Sequence, residues 1–303
     1  MKNKIGFICV LGAFTVPALA AMDVRTPGSG NVAATPTSPA ARAPELPRLT
    51  AAQIVDKNVA ARGGLEAWRH VHSMQMSGLM DLGHARKRQV PVAMTREQRF
   101  ERSHGKYKDE QKEAGKLVQA PFLMELERPT KVRVELQFAG QTAVQVYDGE
   151  HGWKLRPFLN RKEPEPFTSD ELKAAAQQQE LDGPLIDYAA KGNKIELAGT
   201  DEVDGHSTYK LKVMLRSGDT RYVWIDGTSF LDVKIDGVPR RMDGKLRSVQ
   251  TYMRDYRSVD GLMIPHLIET RVERVTDSEK IAIDHVSLNP ALSDARFDKP
   301  ASN

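Results

Sequence analysis

The chain has 303 residues, 40% hydrophobic and 28% charged, which is enough for one large domain or two small ones and excludes both wholesale disorder and a polytopic membrane protein. Its formal net charge is +4, and +2 once Lys2 and Lys4 are set aside as part of a leader, too small an excess to point to nucleic acid.

The chain begins with an export signature. Lys2 and Lys4 precede an apolar stretch from Ile5 to Val16 that is short for a bilayer span, and Ala18-Leu19-Ala20 has the small-x-small cleavage pattern. Residues 1–20 are therefore expected to be a signal peptide cleaved after Ala20, with the mature protein released to the periplasm. Cys9, the one cysteine, lies inside that stretch. A mature chain without it has no disulfide framework, thiolate metal site or cysteine nucleophile. Residues 21–49 carry Pro27, Pro36, Pro39, Pro44 and Pro47, spaced too closely for a helix or a central strand, and read as a linker.

A single domain is expected over residues 50–303. Thr50 and Gln53 have capping-box form, Ile54, Val55, Val59 and Ala60 recur at helical spacing, and Arg62-Gly63-Gly64 is a stop. A second short helix follows, from Leu65 to about Val71. His84 to about Lys116 is dense in Arg, Lys and Glu, including Arg86-Lys87-Arg88, and reads as a solvated charged insertion. The period then changes to two: Val132, Val134, Leu136 and Phe138 alternate with Arg133, Glu135 and Gln137, and Leu211, Val213 and Leu215 repeat the pattern. Between these β-rich halves, Thr168 with Glu171 starts a helix expected to reach about Glu180.

Asp-Gly occurs at Asp148, Asp182, Asp204, Asp226, Asp236, Asp243 and Asp260, the strongest short hairpin signal because both central residues of the favoured turn need positive φ. Between Lys194 and Leu288 there is no room for the crossovers that parallel strands require. The expected architecture is α+β and mainly β. A helix pair, five or six strands, one helix and six or seven more strands form a curved antiparallel sheet that must pair or curl to dispose of its edges.

Several segments carry a resemblance. Pro121-Phe122 through Phe158, with Arg128-Pro129-Thr130-Lys131-Val132-Arg133-Val134-Glu135 and Tyr147-Asp148-Gly149-Glu150-His151-Gly152-Trp153, resembles the outer-membrane lipoprotein-sorting family, the LolA/LolB-like superfamily. Asp182-Gly183-Pro184-Leu185, Tyr209 to Val213, Trp224-Ile225-Asp226, Asp255-Tyr256-Arg257, Asp260-Gly261-Leu262, Ile264-Pro265-His266, and Asn289-Pro290 with Phe297 are similar to that family in the same order. The likeness runs from about Thr50 to Pro300. It implies a half-open barrel closed by a few helices, with a hydrophobic cavity for acyl chains.

Such a cavity needs large apolar side chains, not a nucleophile, metal or acid–base pair. The candidates for its lining are Phe122, Met124, Val134, Leu136, Phe138, Val144, Val146, Trp153, Leu211, Val213 and Trp224, with Met74, Met76 and Met80 as a second, adaptable group. The alternative for each is a plain core position. Gly-x-Ser-x-Gly, His-Glu-x-x-His, phosphate-loop and Gly-x-Gly-x-x-Gly patterns do not occur, so no enzyme and no cofactor are expected. His70 and His72, two apart, would point to different sides of a helix, which makes them poor joint metal ligands. The expected function is a monomeric periplasmic carrier for lipid or lipidated protein, with at most transient membrane contact. A non-transporting sensor or interaction module on the same fold is the alternative.

Overall fold

The computed structural model describes residues 46–84, 117–177, 181–242 and 244–302. The expected signal peptide, nearly all of the linker and residues 85–116 of the charged insertion lie outside the described residues.

The chain is already packed before the first helix: Leu46 and Leu49 lie against an apolar cluster, and Tyr209 donates its hydroxyl to the Pro47 carbonyl at 2.8 Å. Helix α1 (Ala51–Ala61) starts at Thr50 with both bonds of the capping box, the Thr50 hydroxyl accepting from the Gln53 N–H and the Gln53 side chain accepting from the Thr50 N–H. Gly63 and Gly64, at φ 109° and 91°, end it in a conformation that side chains resist. Helix α2 (Leu65–Arg69) is two residues shorter than expected, because Val71 already belongs to the approach to β1. Helix α3 (Ser169–Gln177) is capped by Thr168 with Glu171.

Strands β1 (Ser73–His84), β2 (Leu117–Glu127), β3 (Lys131–Phe138), β4 (Gln141–Tyr147), β5 (Gly152–Arg156) and β6 (Arg161–Pro166) form one antiparallel meander. After α3 come β7 (Lys194–Val203), β8 (His206–Met214), β9 (Thr220–Asp226), β10 (Asp232–Asp236), β11 (Arg240–Met242), β12 (Lys245–Arg247), β13 (Val249–Val259), β14 (Leu262–Val272) and β15 (Glu279–Leu288). The second half thus has more strands than expected. Strands as short as β10 to β12 are too brief for alternation to reveal.

Among the described residues, thirteen strands form one curved open sheet, ordered β6-β5-β4-β3-β2-β1-β15-β14-β13-β10-β9-β8-β7, with β11 and β12 a separate hairpin. The two meanders meet where β1 pairs with β15, from Met74 opposite Leu288 to Met80 opposite Ile281. Gly78 sits at the irregularity in that pairing, and a Cβ there would collide with the backbone of Ala282. Asp204-Gly205 and Asp260-Gly261 are two-residue hairpins with positive φ at both positions. Asp226 works differently: its carboxylate accepts from the Thr228 and Ser229 N–H groups, shaping a longer loop. Asp182-Gly183 joins no strands at all.

Because β6 and β7 are opposite edges of the sheet, residues 167–193 must cross from one edge to the other. Helix α3 and the turns of residues 181–192 make that crossing. Leu185 enters one apolar cluster and Ile186 the other, so this segment bridges the two halves of the inner face.

Candidate functional site

The register decides which side chains share the inner face. Cross-strand partners lie on the same side of a sheet, so Met76 opposite Met124 and Met124 opposite Val134 form one row, and Phe122 opposite Leu136 opposite Ala143 the next. With Met74, Met80, Val132, Leu262, Ile264, Ile281 and Ile283 these residues make a continuous buried cluster, roofed by Trp68 and Ile186. Phe138 extends the row outward, meeting Phe158 edge-to-face at 5.7 Å. A second cluster holds Ile54, Val55, Leu185, Tyr209, Leu211, Val213, Val223 and Ile225. Leu211 and Val213 are therefore inner-face residues, but in the other compartment.

Three expected lining residues fall on the outer face. Val144 and Val146 pair with Glu135 and Arg133, and Trp153 pairs with Val146, so all three point away from Leu136. Strand β4 is buried from Ala143 to Tyr147 without a break, which hides its phase in the sequence. The C-terminal turn Asp294–Phe297 docks on this outer side: Arg296 reaches Glu125 at 2.8 Å and Glu135 at 2.7 Å, and Phe297 is buried.

Trp224 is also on the outer face, because its neighbours Val223 and Ile225 point inward. It pairs with Lys210 and Lys234, clusters with Val203 and Tyr252, and donates its indole N–H to Asp201 at 2.8 Å. The Lys234 ammonium stands 3.8 Å from its ring centroid. Beside Tyr252, burial pushes the Glu269 carboxyl up, but bonds from Arg271, Ser278 and Arg254 outweigh it and hold the group at about 2. A depressed folded value stabilises the protein above the ordinary glutamate range, and this stability is lost as pH falls toward 2. Discounted for the partly exposed arginines, it is worth about 2 kcal/mol. Glu269→Gln is expected to flatten the acid limb of a urea-midpoint-versus-pH curve by that amount, and an unchanged limb would show that other carboxylates control it.

The cover over the inner face is pinned by polar bonds between distant parts of the chain. Asp182, buried, accepts from Arg128 at 2.7 Å and from Lys191 at 2.6 Å, and its carbonyl accepts from Arg62 at 2.9 Å. Arg128 also donates to the Val71 carbonyl at 2.7 Å. Arg62 lies 3.3 Å from Asp232 and 4.7 Å from the Trp68 ring centroid. Burial raises the Asp232 carboxyl against the pull of Arg62 and of the Asn58 amide. The Tyr256 hydroxyl, itself pushed up by burial, donates to the Asp232 carbonyl at 2.9 Å. At the far end, Lys154 pairs with Glu171 at 2.5 Å and holds α3 to β5. Sequence reasoning missed this network; Asp182 stood out in the sequence as half of a turn dipeptide and as part of a resembling segment, not as a buried ion-pair partner. Among the described residues, no three His, Cys, Asp or Glu side chains are grouped to hold a metal ion.

No protein-family model matches the chain, and no curated protein matches it. Solved structures do. A LolA superfamily protein from Nitrosomonas europaea is 15% identical, with 83% of this chain and 99% of that chain covered and a TM-score of 0.48. An outer membrane lipoprotein-sorting protein domain from Vibrio parahaemolyticus is 12% identical over 81% of this chain and 95% of that chain, at 0.48. A DUF1329 family protein from Desulfovibrio piger is 14% identical over 82% and 97%, at 0.43.

Proposed function

We propose that the protein is an exported carrier or binding protein that takes the acyl chains of a lipid or a lipidated protein on the inner face of its sheet, with no covalent chemistry. The observation that supports this is the pairing of an adaptable apolar surface with a cover held by polar bonds. Met74, Met76, Met80 and Met124 lie together on that surface, and unbranched thioethers repack around ligands of different shape. In the state described the face is closed, so a chain enters by displacing Trp68 and Ile186.

The magnitudes allow it. A dozen buried methylenes contribute about 10 kcal/mol, whereas each charged hydrogen bond around Asp182 is worth about 1.5–3 kcal/mol. Opening the cover is therefore within reach of a long acyl chain. The leader with Lys2, Lys4 and Ala18-Leu19-Ala20 supports export to the periplasm.

The test is saturable binding of a fluorescent sixteen-carbon acyl probe by the wild-type protein and by Asp182→Ala. Removing Asp182 leaves Arg128 and Lys191 without their shared carboxylate, and is expected to raise the uptake rate at least tenfold. Hydrogen exchange would rise in residues 181–192 while β8 and β9 stay protected. Absence of saturable binding in both proteins, with only the bare mass in native mass spectrometry of secreted material, would overturn the carrier reading. One observation favours a non-transporting interaction module instead: Leu136, Leu211 and Val213 are at most 1% exposed, as in a filled core. The bare-mass result would select it.

A further inference from the structure

Beside the β3–β4 turn, at the rim of the sheet, an open cleft of ≈ 470 Å³ is lined by Gly140, Gln141, Thr142, Pro157 and Lys162. We propose that this cleft binds the anionic, phosphate-bearing headgroup of the lipid, an assignment that rests on the carrier reading and adds its substrate class.

The cations nearby are not equivalent. Arg156 and Arg161 both pair with Glu165, at 2.6 and 2.9 Å, whereas Lys162 has no carboxylate partner among the described residues. Glu163 accepts from the Ser302 hydroxyl. The cleft lining therefore combines an unpaired ammonium, a hydroxyl and a carboxamide with no acidic side chain. The Gln141 and Thr142 side chains make no hydrogen bond among the described residues, so their donors remain available. An ammonium with neutral donors around it suits a phosphate oxygen as a point-charge partner.

Local backbone geometry keeps the cleft open. Ala139 and Gly140 form the β3–β4 turn at φ 51° and 72°, and a Cβ on Gly140 would meet nothing within 4 Å. After the 3-10 turn Pro157–Leu159, Asn160 at φ 59° reverses the chain into β6, which carries Lys162.

The cleft is connected to the apolar face. The cleft straddles the rim of the sheet: Gln141, the cross-strand partner of Phe138, is on the inner side, whereas Thr142, opposite Gln137, is on the outer side. Phe138 meets Phe158, and Phe158 packs against the methionine-containing cluster. A headgroup in the cleft reaches the apolar face past Gln141 and Phe138, whose ring meets Phe158 at the edge of the methionine-containing cluster. The cleft itself, shallow and half polar, suits the headgroup and not the chains.

The experiment compares three probes by calorimetry: dihexanoyl phosphatidylglycerol, neutral dihexanoylglycerol and inorganic phosphate. Wild-type protein is expected to prefer the phosphatidylglycerol over the neutral lipid at least fivefold, with inorganic phosphate binding much more weakly. In Lys162→Gln the preference should fall to near one, and in Lys162→Arg most of it should return; Thr142→Val should show an intermediate ratio. Equal affinity for the two lipids in wild type, or a preference intact in Lys162→Gln, overturns the headgroup site while leaving neutral-lipid binding as evidence for the carrier. Inorganic phosphate binding as tightly as the lipid overturns it in favour of a free-phosphate site. Failure of both lipids to bind overturns the carrier reading and this assignment with it.

Discussion

Trp68→Ala is expected to lower folding stability by about 3–5 kcal/mol and, at the same time, to strengthen binding of a short acyl chain. Trp68 is 1% exposed, roofs the methionine-containing cluster, and donates its indole N–H to the Arg62 carbonyl at 3.0 Å. Truncation removes a large apolar group and leaves a void against side chains that are already adaptable. An ordinary core would simply lose stability. A face built to receive chains should let a ten- or twelve-carbon chain take the vacated space. Urea midpoints with and without decanoate measure both effects. The ligand-induced rise should be larger in the variant than in wild type; equal rises would mark Trp68 as a core residue with no relation to a ligand. A loss of less than about 1 kcal/mol would show that the ring does not roof the cluster.

The second large effect is expected from Leu136→Glu, which should cost about 4 kcal/mol or more at neutral pH. Leu136 is 1% exposed between its cross-strand partners Phe122 and Ala143, inside the methionine-containing apolar cluster. The introduced acid is expected to titrate far above the ordinary glutamate range. A raised folded value means that the variant recovers stability as pH falls and loses it as pH rises. Its unfolding midpoint should therefore lie closer to wild type at pH 5 than at pH 7.5. A folded, stable variant at pH 7.5 would show that water or a mobile cover already reaches this part of the inner face, which would favour an open cleft over a closed one.

Much of the scaffold was legible because its signals are local. The capping boxes at Thr50 and Thr168 were readable since each uses residues three apart, and both form as expected. The turns at Asp204 and Asp260 were readable since only a few residue types tolerate positive φ. That Val134, Leu136 and Phe138 share one side of β3 also followed, because the other side of the strand is wet. Val144, Val146, Trp153 and Trp224 lie on the opposite side of the sheet from Leu136 and Leu211, which their spacing could not reveal for a physical reason. A two-residue period reports that two faces differ, not which of them the helices cover. In β4, buried on both sides, even the difference vanishes.

By itself, then, the sequence determined the helix caps, the longer strands, the antiparallel connections and the composition of an apolar face, all through interactions spanning a few residues. Only the tertiary structure decided the closing pair of β1 with β15, the side to which each apolar strand turns, and the bonds that pin the cover, such as Arg62 to a carbonyl 120 residues away. Those depend on which distant segments meet, and a charged residue looks the same in a chain whether it will be solvated or buried against a partner.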